Sequence, residues 1–284
     1  MIRTSKQLKD KVKNISNSDA KIAQAYIRTF IMERFLERVS ISEYHDQFIL
    51  KGGMLVASLV GIDLRSTMDI DTTVRALPIN ETEAKEIMQN IINIPVDDGV
   101  SFLISACKEI MSDFDYPGIR VMIEARLDKL RQVIKIDIST DDVITPRAIE
   151  YEYKLMFENR KISVMTYNLE TLLAEKLQTV LSRDIANTRM RDFYDIYSLT
   201  KEKLEDLMKN TLLSEAFIAT CKKRETTFTK EKAELICERI SNDKEMENRW
   251  KSFKDDNYFV GELEWKVIME QVYKVVLKVV SVIS

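Results

Sequence analysis

Apolar and polar positions follow two different periods, one in the first part of the chain and one in the second. Residues 134–139 alternate strictly between isoleucine and a polar residue, which is the period of a strand with one buried face. After Asn168, apolar residues recur at helical spacing almost throughout. The pattern predicts an α/β protein, with a mixed sheet flanked by helices in residues 1–165 and a helical domain in residues 166–284. Further extended segments are predicted at residues 48–50, 100–104, 118–125 and 161–165.

Helices are also predicted before, between and after the strands. Residues 1–47 are helical in pattern, and residues 81–92 have the period of a surface helix that Asn80 would cap. In the second part, Asn168 would cap a helix whose leucines form a buried stripe. The segment 265–280 is predicted to be an amphipathic or core-packed helix.

Asp69 and Asp71 are the first candidate functional residues. In a strand, residues two apart point to the same face, so these carboxylates would project side by side, about 7 Å apart at the backbone. Ile70 would point into the core. Like charges held together repel one another unless a cation lies between them, and a hard divalent ion such as Mg²⁺ prefers carboxylate oxygens. The pair therefore predicts a metal site.

A glycine turn lies upstream of the two carboxylates. Gly52 and Gly53 follow the apolar run 48–50 and precede a short buried helix that is predicted from Met54. Two glycines allow backbone N–H groups to approach a phosphate closely, and the helix that follows adds its positive N-terminal end. The turn is therefore suited to an anion. A second extended segment is predicted to begin at Arg65.

Asp137 is the candidate for a third carboxylate. It lies on the polar face of the strand 134–139, and sheet pairing would bring it beside Asp69 and Asp71. The alternative is an edge strand with a polar, solvated face. Asp141 and Asp142 lie just beyond this strand, but the pattern places them in a turn.

The helical domain contributes cations and further carboxylates. Lys176 and Arg183 are seven residues apart, so they share one helix face. Lys176 also lies close to the apolar stripe. The alternative is therefore that its methylene chain covers this stripe while its ammonium group reaches solvent. Arg191 and Asp195 are four residues apart, so they could form an ion pair within one helix. Such a pair would explain their spacing without a role in a functional site. Asp192 lies near a helix start, where the helix dipole favours a carboxylate.

The net charge of −3 argues against a surface that binds nucleic acid everywhere, so any RNA contact requires a local basic patch. The densest candidate is Lys222, Lys223 and Arg224, with Lys230 and Lys232 nearby. A solvated helix face is the alternative, since acidic residues lie among these bases.

Several classes of site and location are excluded by composition. His45 is the only histidine, which removes nearly all zinc sites and histidine-base mechanisms. The three cysteines are scattered, without metal-ligand spacing, and fit a reducing compartment. Neither a signal peptide nor an uninterrupted apolar span is present, so a cytoplasmic protein without a membrane segment is expected.

Four motifs together resemble a known family. They are Lys51-Gly52-Gly53, Arg65-Ser66 followed by Asp69-Ile70-Asp71, Lys176-Leu177 with the downstream Arg183, and Arg191-Asp192-Phe193-Tyr194-Asp195. The pattern resembles the nucleotidyltransferase superfamily of DNA polymerase β, and most closely the AbiEii-type toxins of bacterial type IV toxin–antitoxin systems.

The resemblance implies a nucleotidyltransferase fold and a toxin of abortive infection, an antiviral defence. The implied enzyme is metal-dependent and transfers a nucleotide from a nucleoside triphosphate, expected to be GTP or CTP, to an acceptor such as tRNA. The expected metal is Mg²⁺, with Mn²⁺ as the alternative, and the expected partner is a separately encoded antitoxin of AbiEi type. Two rival functions remain open: a metal-dependent phosphodiesterase or nuclease, and a catalytically inactive nucleotide-binding regulator.

The resemblance and the residue patterns together give three sets of site residues. The metal ligands would be Asp69, Asp71 and Asp137, where Asp137 completes a second metal position or takes a proton from the acceptor. Catalysis would add Lys176 and Asp192, with Asp195 left as architectural. Nucleotide-binding residues would be Lys51, Gly52, Gly53, Arg65, Ser66, Lys176 and Arg183.

Overall fold

The computed structural model describes residues 2–75, 80–111, 117–140 and 142–282, and it divides the chain into two compact units. The first, here called the sheet unit, comprises Met1–Asp142 and Ile149–Thr166. The second, the helical unit, comprises Val143–Ala148 and Tyr167–Ser284. Within the described ranges, no helix combines the length and the apolar character that a bilayer crossing requires. That the helical unit closes a nucleotide cleft stays a prediction.

Seven strands of the described residues form one mixed sheet in the order β3-β4-β5-β2-β1-β7-β6. The pairs β1–β7 and β2–β5 are parallel, and the other neighbours are antiparallel. The strands are β1 Phe48–Lys51, β2 Asp69–Val74, β3 Val100–Met111, β4 Pro117–Leu127, β5 Leu130–Thr140, β6 Ile149–Lys154 and β7 Lys161–Thr166.

Helices of the sheet unit follow the predicted pattern. Asn80 caps the fourth helix through its side chain, which accepts hydrogen bonds from the N–H groups of Thr82 and Glu83. The isoleucines of β5 at 134, 136 and 138 are buried, whereas the polar residues between them are half-buried on the other face. The helices are α1 Ser5–Ile15, α2 Ala20–Ser40, α3 Gly52–Val60 and α4 Glu81–Ile92.

The helical unit has the cap and the core that the sequence predicts. Asn168 caps its first helix by accepting a hydrogen bond from the N–H of Thr171. Trp250 and Trp265 are buried and pack against each other with their rings tilted and the ring centroids 5.9 Å apart. The helices are α5 Leu169–Arg183, α6 Met190–Thr200, α7 Leu204–Leu207, α8 Leu212–Lys223, α9 Lys230–Asn242, α10 Lys244–Asp256 and α11 Trp265–Val280, with 3₁₀ turns at Asp184–Ala186 and Tyr258–Val260.

Three details differ from the sequence-based prediction. Strand β6 was not predicted, although its residues alternate between apolar or aromatic and charged side chains. Helix α3 begins at Gly52, two residues earlier than predicted, because a glycine needs no side-chain space at the turn. Strand β2 begins at Asp69 instead of Arg65, since Arg65 is buried outside the sheet ladder.

Helix α2 buries charged residues as well as its apolar stripe. Arg34 Nη1 lies 2.9 Å from Glu158 Oε1 and 3.2 Å from Glu37 Oε2. Arg160 pairs with the same two glutamates, so the four side chains form an alternating ring of charges. Buried ions of this kind are tolerated only when each has an opposite partner. The apolar stripe of α2 could not indicate these partners, because they lie more than 120 residues away in the sequence.

Glu33 of the same helix is buried beside this ring. The N–H of Met156 donates to both of its carboxylate oxygens, at 3.0 and 3.1 Å. Burial nevertheless raises the pKa of Glu33 from 4.5 to about 8, because desolvation of the charge outweighs these hydrogen bonds and the nearby Arg34. Glu33 is therefore protonated in the folded protein at neutral pH.

This assignment predicts a pH-dependent stability. The folded protein keeps the Glu33 proton up to about pH 8, whereas the unfolded chain releases it near 4.5, so the free energy of unfolding should fall as the pH rises between these values. Glutamine resembles the protonated carboxyl but does not ionise, so Glu33→Gln should remove this part of the fall. Denaturant unfolding across the interval measures it. The exposed Glu86→Gln serves as the control, and an unchanged profile for Glu33→Gln would contradict the assignment.

Candidate metal centre and surrounding charges

Asp69 and Asp71 project from the same face of β2. Both are half-buried, whereas Ile70 between them is completely buried on the opposite face. The hydroxyl of Thr67 donates to Asp69 Oδ1 at 3.1 Å and so helps to orient that carboxylate. The carboxylates of Asp69 and Asp71 therefore lie side by side, as their two-residue spacing in a strand predicts.

Asp137 joins this pair through the register of the sheet. Strands β2 and β5 are parallel neighbours, and Asp71 lies directly opposite Asp137, as Asp69 lies opposite Lys135. One carboxylate oxygen from each of Asp69, Asp71 and Asp137 can be chosen so that all three lie within 4.8 Å of one another. We call this group the carboxylate triad. Its function as a metal site stays a prediction.

The three carboxylates of the triad repel one another. Burial, together with the charges of Asp69 and Asp137, raises the pKa of Asp71 to about 6, against the opposing effects of Lys51 and of the Gly53 N–H. A divalent cation would relieve this repulsion. The donors are hard carboxylate oxygens, which fit Mg²⁺ or Mn²⁺ better than a soft metal.

Two cationic side chains contact the carboxylates of the triad. The guanidinium of Arg120 binds both oxygens of Asp137, with Nε 2.7 Å from Oδ1 and Nη2 2.9 Å from Oδ2. The ammonium of Lys135 lies 2.6 Å from Asp69 Oδ2 and 3.7 Å from Asp137 Oδ2. Neither Arg120 nor Lys135 was predicted from the sequence as a residue of the site. The alternation of β5 could have identified Lys135, which lies two residues before Asp137 and therefore on the same face.

The glycine turn supports Asp71. The Gly53 N–H donates to Asp71 Oδ2 at 3.3 Å. Gly52 has φ +61°, and a Cβ atom built on it would lie 2.0 Å from Asp71 Oδ2. A Cβ on Gly53 would lie 2.5 Å from the hydroxyl oxygen of Thr67. Both positions therefore exclude any side chain, because the backbone lies directly against the residues of the centre.

Lys51 and Arg65, two predicted nucleotide-binding residues, are buried next to this turn. Lys51 forms an ion pair with Asp142, whose carboxylate also accepts a hydrogen bond from Ser139 at 2.6 Å. Arg65 donates to the carbonyl oxygen of Ser66, and Ser66 itself is half-buried. Asp142 is a residue that sequence reasoning set aside as part of a turn. Nucleotide binding by Lys51, Arg65 and Ser66 stays a prediction.

Lys176 lies in a cluster of charges within the helical unit. Its ammonium is 2.9 Å from Asp192 Oδ1 and 2.8 Å from Asp195 Oδ2, and Arg189 Nε lies 2.9 Å from the other oxygen of Asp192. Lys176 is buried, so the alternative in which it extends to solvent is wrong. Asp195 pairs directly with Lys176, a contact that sequence reasoning did not foresee. Arg183 is half-buried at the end of α5.

The charges of this cluster stabilise one another. Burial alone would lower the pKa of Lys176, but Asp192 and Asp195 outweigh it and raise that pKa. Burial would likewise raise the pKa of Asp192, but Lys176 and Arg189 outweigh it and lower that pKa. Lys176 and Asp192 are therefore charged at neutral pH. The catalytic role of Asp192 and nucleotide contact by Lys176 and Arg183 stay predictions.

The basic patch considered from the sequence is smaller than expected. Arg224 has only 11% of its side chain exposed, and its Nη1 donates to Gln178 Oε1 at 2.6 Å and to Thr179 Oγ1 at 3.1 Å. It therefore links α8 to α5 and cannot serve as a surface contact for RNA. Lys222 is exposed and Lys223 is half-buried.

Gly52→Ala should displace Asp71 and weaken divalent metal binding at least about tenfold, a loss that corresponds to ~1.4 kcal/mol. Gly261→Ala is the matched control, since Gly261 has φ +60° and open space where a Cβ would lie. Both variants place an alanine at a positive φ, so the control tests the strain of that backbone without the contact to Asp71. Titration calorimetry with Mn²⁺, together with thermal unfolding, separates the two effects. Equal Mn²⁺ affinity in Gly52→Ala and the control would refute the role of the turn.

Lys176→Ala should lower the free energy of unfolding by about 3–5 kcal/mol, because two buried carboxylates lose their shared cation. Lys230→Ala removes a lysine from the exposed pair with Glu234 and should cost less than about 1 kcal/mol. Denaturant unfolding of both variants measures the difference. A loss for Lys176→Ala as small as that for Lys230→Ala would show that the cluster does not hold the fold together.

Comparison with known proteins places this arrangement in a family. The sequence profile described as "Nucleotidyl transferase AbiEii toxin, Type IV TA system" matches residues 34–271. This match includes the triad, the glycine turn and the Lys176 cluster. No curated protein matches the chain.

Two crystal structures from Helicobacter pylori have a similar fold. A protein named as a nucleotidyltransferase aligns with a TM-score of 0.53 and 15% identity, over 92% of this chain and 98% of its own. The protein JHP933 aligns with a TM-score of 0.51 and 15% identity, over 91% of this chain and 92% of its own. At such identities the likeness concerns the fold, and the predicted nucleotidyltransferase fold is confirmed. Because the family profile covers most of the chain, the protein belongs to the AbiEii nucleotidyl transferase toxins of type IV toxin–antitoxin systems.

Proposed function

We propose that the protein transfers a nucleotide from a nucleoside triphosphate to an RNA acceptor in a reaction that depends on a divalent metal. The observation that carries this proposal is the carboxylate triad, in which Asp69, Asp71 and Asp137 converge on one face of the sheet. Membership of the AbiEii family supports the reaction class. The donor set supports Mg²⁺, with Mn²⁺ as the alternative.

In the proposed reaction an acceptor hydroxyl attacks the α-phosphorus while the bond to the β-phosphate oxygen breaks and pyrophosphate leaves. Asp69 and Asp71 would hold the metal, which neutralises charge on the triphosphate when it is bound. Asp137 would either share the metal or accept the proton of the attacking hydroxyl. The glycine turn, Gly52-Gly53, keeps Asp71 in position through the Gly53 N–H.

Buried cations favour an anion at this turn. A Cβ on Gly53 would lie 2.9 Å from Arg65 Nη2, so the guanidinium packs against the turn, and Lys51 directly precedes it. Both side chains are nearly inaccessible to solvent, so their charges are weakly screened. We assign them to stabilising the bound phosphates electrostatically, with Ser66 beside them. Lys176 and Arg183 retain the nucleotide-binding role, and Lys176 and Asp192 the catalytic role, that the family resemblance implies.

Membership of the family supports an antitoxin partner. A toxin of a type IV system requires an antitoxin, and we propose a separately encoded protein of AbiEi type. We further propose tRNA as the acceptor, GTP or CTP as the nucleotide donor, and the cytoplasm as the compartment. Abortive infection as an antiviral defence is the corresponding biological role.

Incubation of the protein with each α-labelled nucleoside triphosphate, Mg²⁺ and total RNA tests the proposal. Label should appear in RNA, and Asp71→Asn should reduce the rate by a factor of about 10³ or more, as expected when ~4 kcal/mol of stabilisation is lost. Asp10→Asn, an exposed position on α1, is the matched control and should keep the wild-type rate.

The two rival functions give different products in the same experiment. A nuclease would shorten the RNA without incorporating label. A regulator would bind the triphosphate and leave both molecules intact. Either outcome, obtained with each of the four nucleotides, would refute the proposed transfer.

A further inference from the structure

Lys135 lies against two carboxylates of the triad. It lies opposite Asp69 in the β2–β5 register and two residues before Asp137 on the same face. Its ammonium contacts Asp69 Oδ2 at 2.6 Å and is 3.7 Å from Asp137 Oδ2. With 29% of the side chain exposed, the lysine lies at the surface of the centre and is not sealed within it.

A divalent ion bound by the triad and the ammonium of Lys135 would repel each other. Magnesium binds oxygen at about 2.0–2.1 Å, so two oxygens of one ion lie no more than about 4.2 Å apart. The oxygens of the triad need shift only slightly from their 4.8 Å limit to meet that condition. An ammonium 2.6 Å from Asp69 Oδ2 and 3.7 Å from Asp137 Oδ2 lies close to two of the three proposed ligands and would repel the incoming ion.

Arg120 differs from Lys135 in this respect. It reaches Asp137 from β4, and the sheet order β4-β5-β2 places β4 on the side of Asp137 away from Asp69 and Asp71. A carboxylate has about four lone-pair sites, so Asp137 can accept both hydrogen bonds of Arg120 and still offer an oxygen to a metal. Arg120 can therefore remain in place and orient Asp137, whereas Lys135 must move.

A lysine displaced from Asp69 has a suitable new partner if the proposed triphosphate binds the metal. Its ammonium is a compact charge on a flexible four-carbon chain, and lysine commonly binds phosphate in this way. From β5 it would remain adjacent to the ion and to the oxygens that the ion holds. The same positive charge would thus oppose binding of the metal alone and favour binding of the metal with its triphosphate.

We propose that Lys135 is a displaceable counter-cation, which pairs with Asp69 and Asp137 in the metal-free protein and moves to the phosphates when metal and triphosphate bind. The inference rests on the proposed function, since it requires the triad to bind a divalent ion. It makes metal binding and triphosphate binding mutually dependent, because the metal releases the lysine that the phosphates need.

Titration calorimetry with Mn²⁺ alone, and with inorganic tripolyphosphate at saturating Mn²⁺, tests the inference without reference to catalysis. Lys135→Met should bind Mn²⁺ about tenfold more tightly than the wild type, and tripolyphosphate about tenfold more weakly; each factor corresponds to ~1.4 kcal/mol. Lys135→Gln should behave in the same way and replaces Lys135→Met if that variant does not fold, as judged by thermal unfolding.

Lys108→Met is the matched control. It also removes one positive charge, and Lys108 lies opposite Arg120 on β3, so it is exposed on the same face but two strands away from β5. Two strand spacings of about 4.8 Å exceed the screening length of ~8 Å at physiological salt. Lys108→Met should therefore leave both affinities close to the wild-type values.

Opposite changes in the two affinities, present in the Lys135 variants and absent in Lys108→Met, are the result that supports the proposal. Unchanged or weaker Mn²⁺ binding in the Lys135 variants, or unchanged tripolyphosphate binding, would overturn it. If the wild type binds Mn²⁺ and transfers nucleotide, such a result leaves the proposed function intact. If neither the wild type nor the variants bind Mn²⁺, the metal site itself is wrong and both proposals fail.

Discussion

Repulsion among Asp69, Asp71 and Asp137 is the constraint on which the centre of the sheet unit depends. The parallel register of β2 with β5 forces Asp71 and Asp137 to lie opposite each other, so the strands cannot separate these charges. Three contacts reduce this repulsion. Lys135 pairs with Asp69, Arg120 pairs with Asp137, and the Gly53 N–H donates a hydrogen bond to Asp71. The absence of side chains at Gly52 and Gly53 follows from the same constraint, because a hydrogen bond from the backbone requires close approach.

Mutual repulsion distinguishes this centre from the charged ring beside α2 and from the Lys176 cluster. In the ring Arg34 and Arg160 face Glu37 and Glu158, and in the helical unit Lys176 and Arg189 face Asp192 and Asp195. Each carboxylate of those two clusters contacts a cation. In the triad, by contrast, three carboxylates converge within 4.8 Å, and the charges of Asp69 and Asp137 add to burial in raising the pKa of Asp71. Repulsion of this kind in a half-buried position favours a bound cation.

Local periodicity made much of the fold and part of the candidate site predictable. The alternation of apolar and polar residues predicted β5, and the two-residue spacing of Asp69 and Asp71 predicted that they share a face. The capping residues Asn80 and Asn168 predicted where two helices begin. Periodicity reports which face a side chain occupies, but it does not report what lies opposite that face. For this reason the buried charges of α2, the pairing of Lys51 with Asp142 and the burial of Arg224 were not predicted. Each depends on a partner that is remote in the sequence or lies on another element.

The charged ring on α2 also has a consequence for biosynthesis. Arg160 lies 123 residues after its partner Glu37, so α2 leaves the ribosome long before the hairpin of β6 and β7 that completes the ring. At the usual ~5–20 residues per second, the interval is about 6 to 25 s. During that time the charges of α2 remain hydrated, because burying them without Glu158 and Arg160 would cost several kcal/mol. We therefore expect the nascent helix to dock on the sheet only after the hairpin that completes the ring has been made.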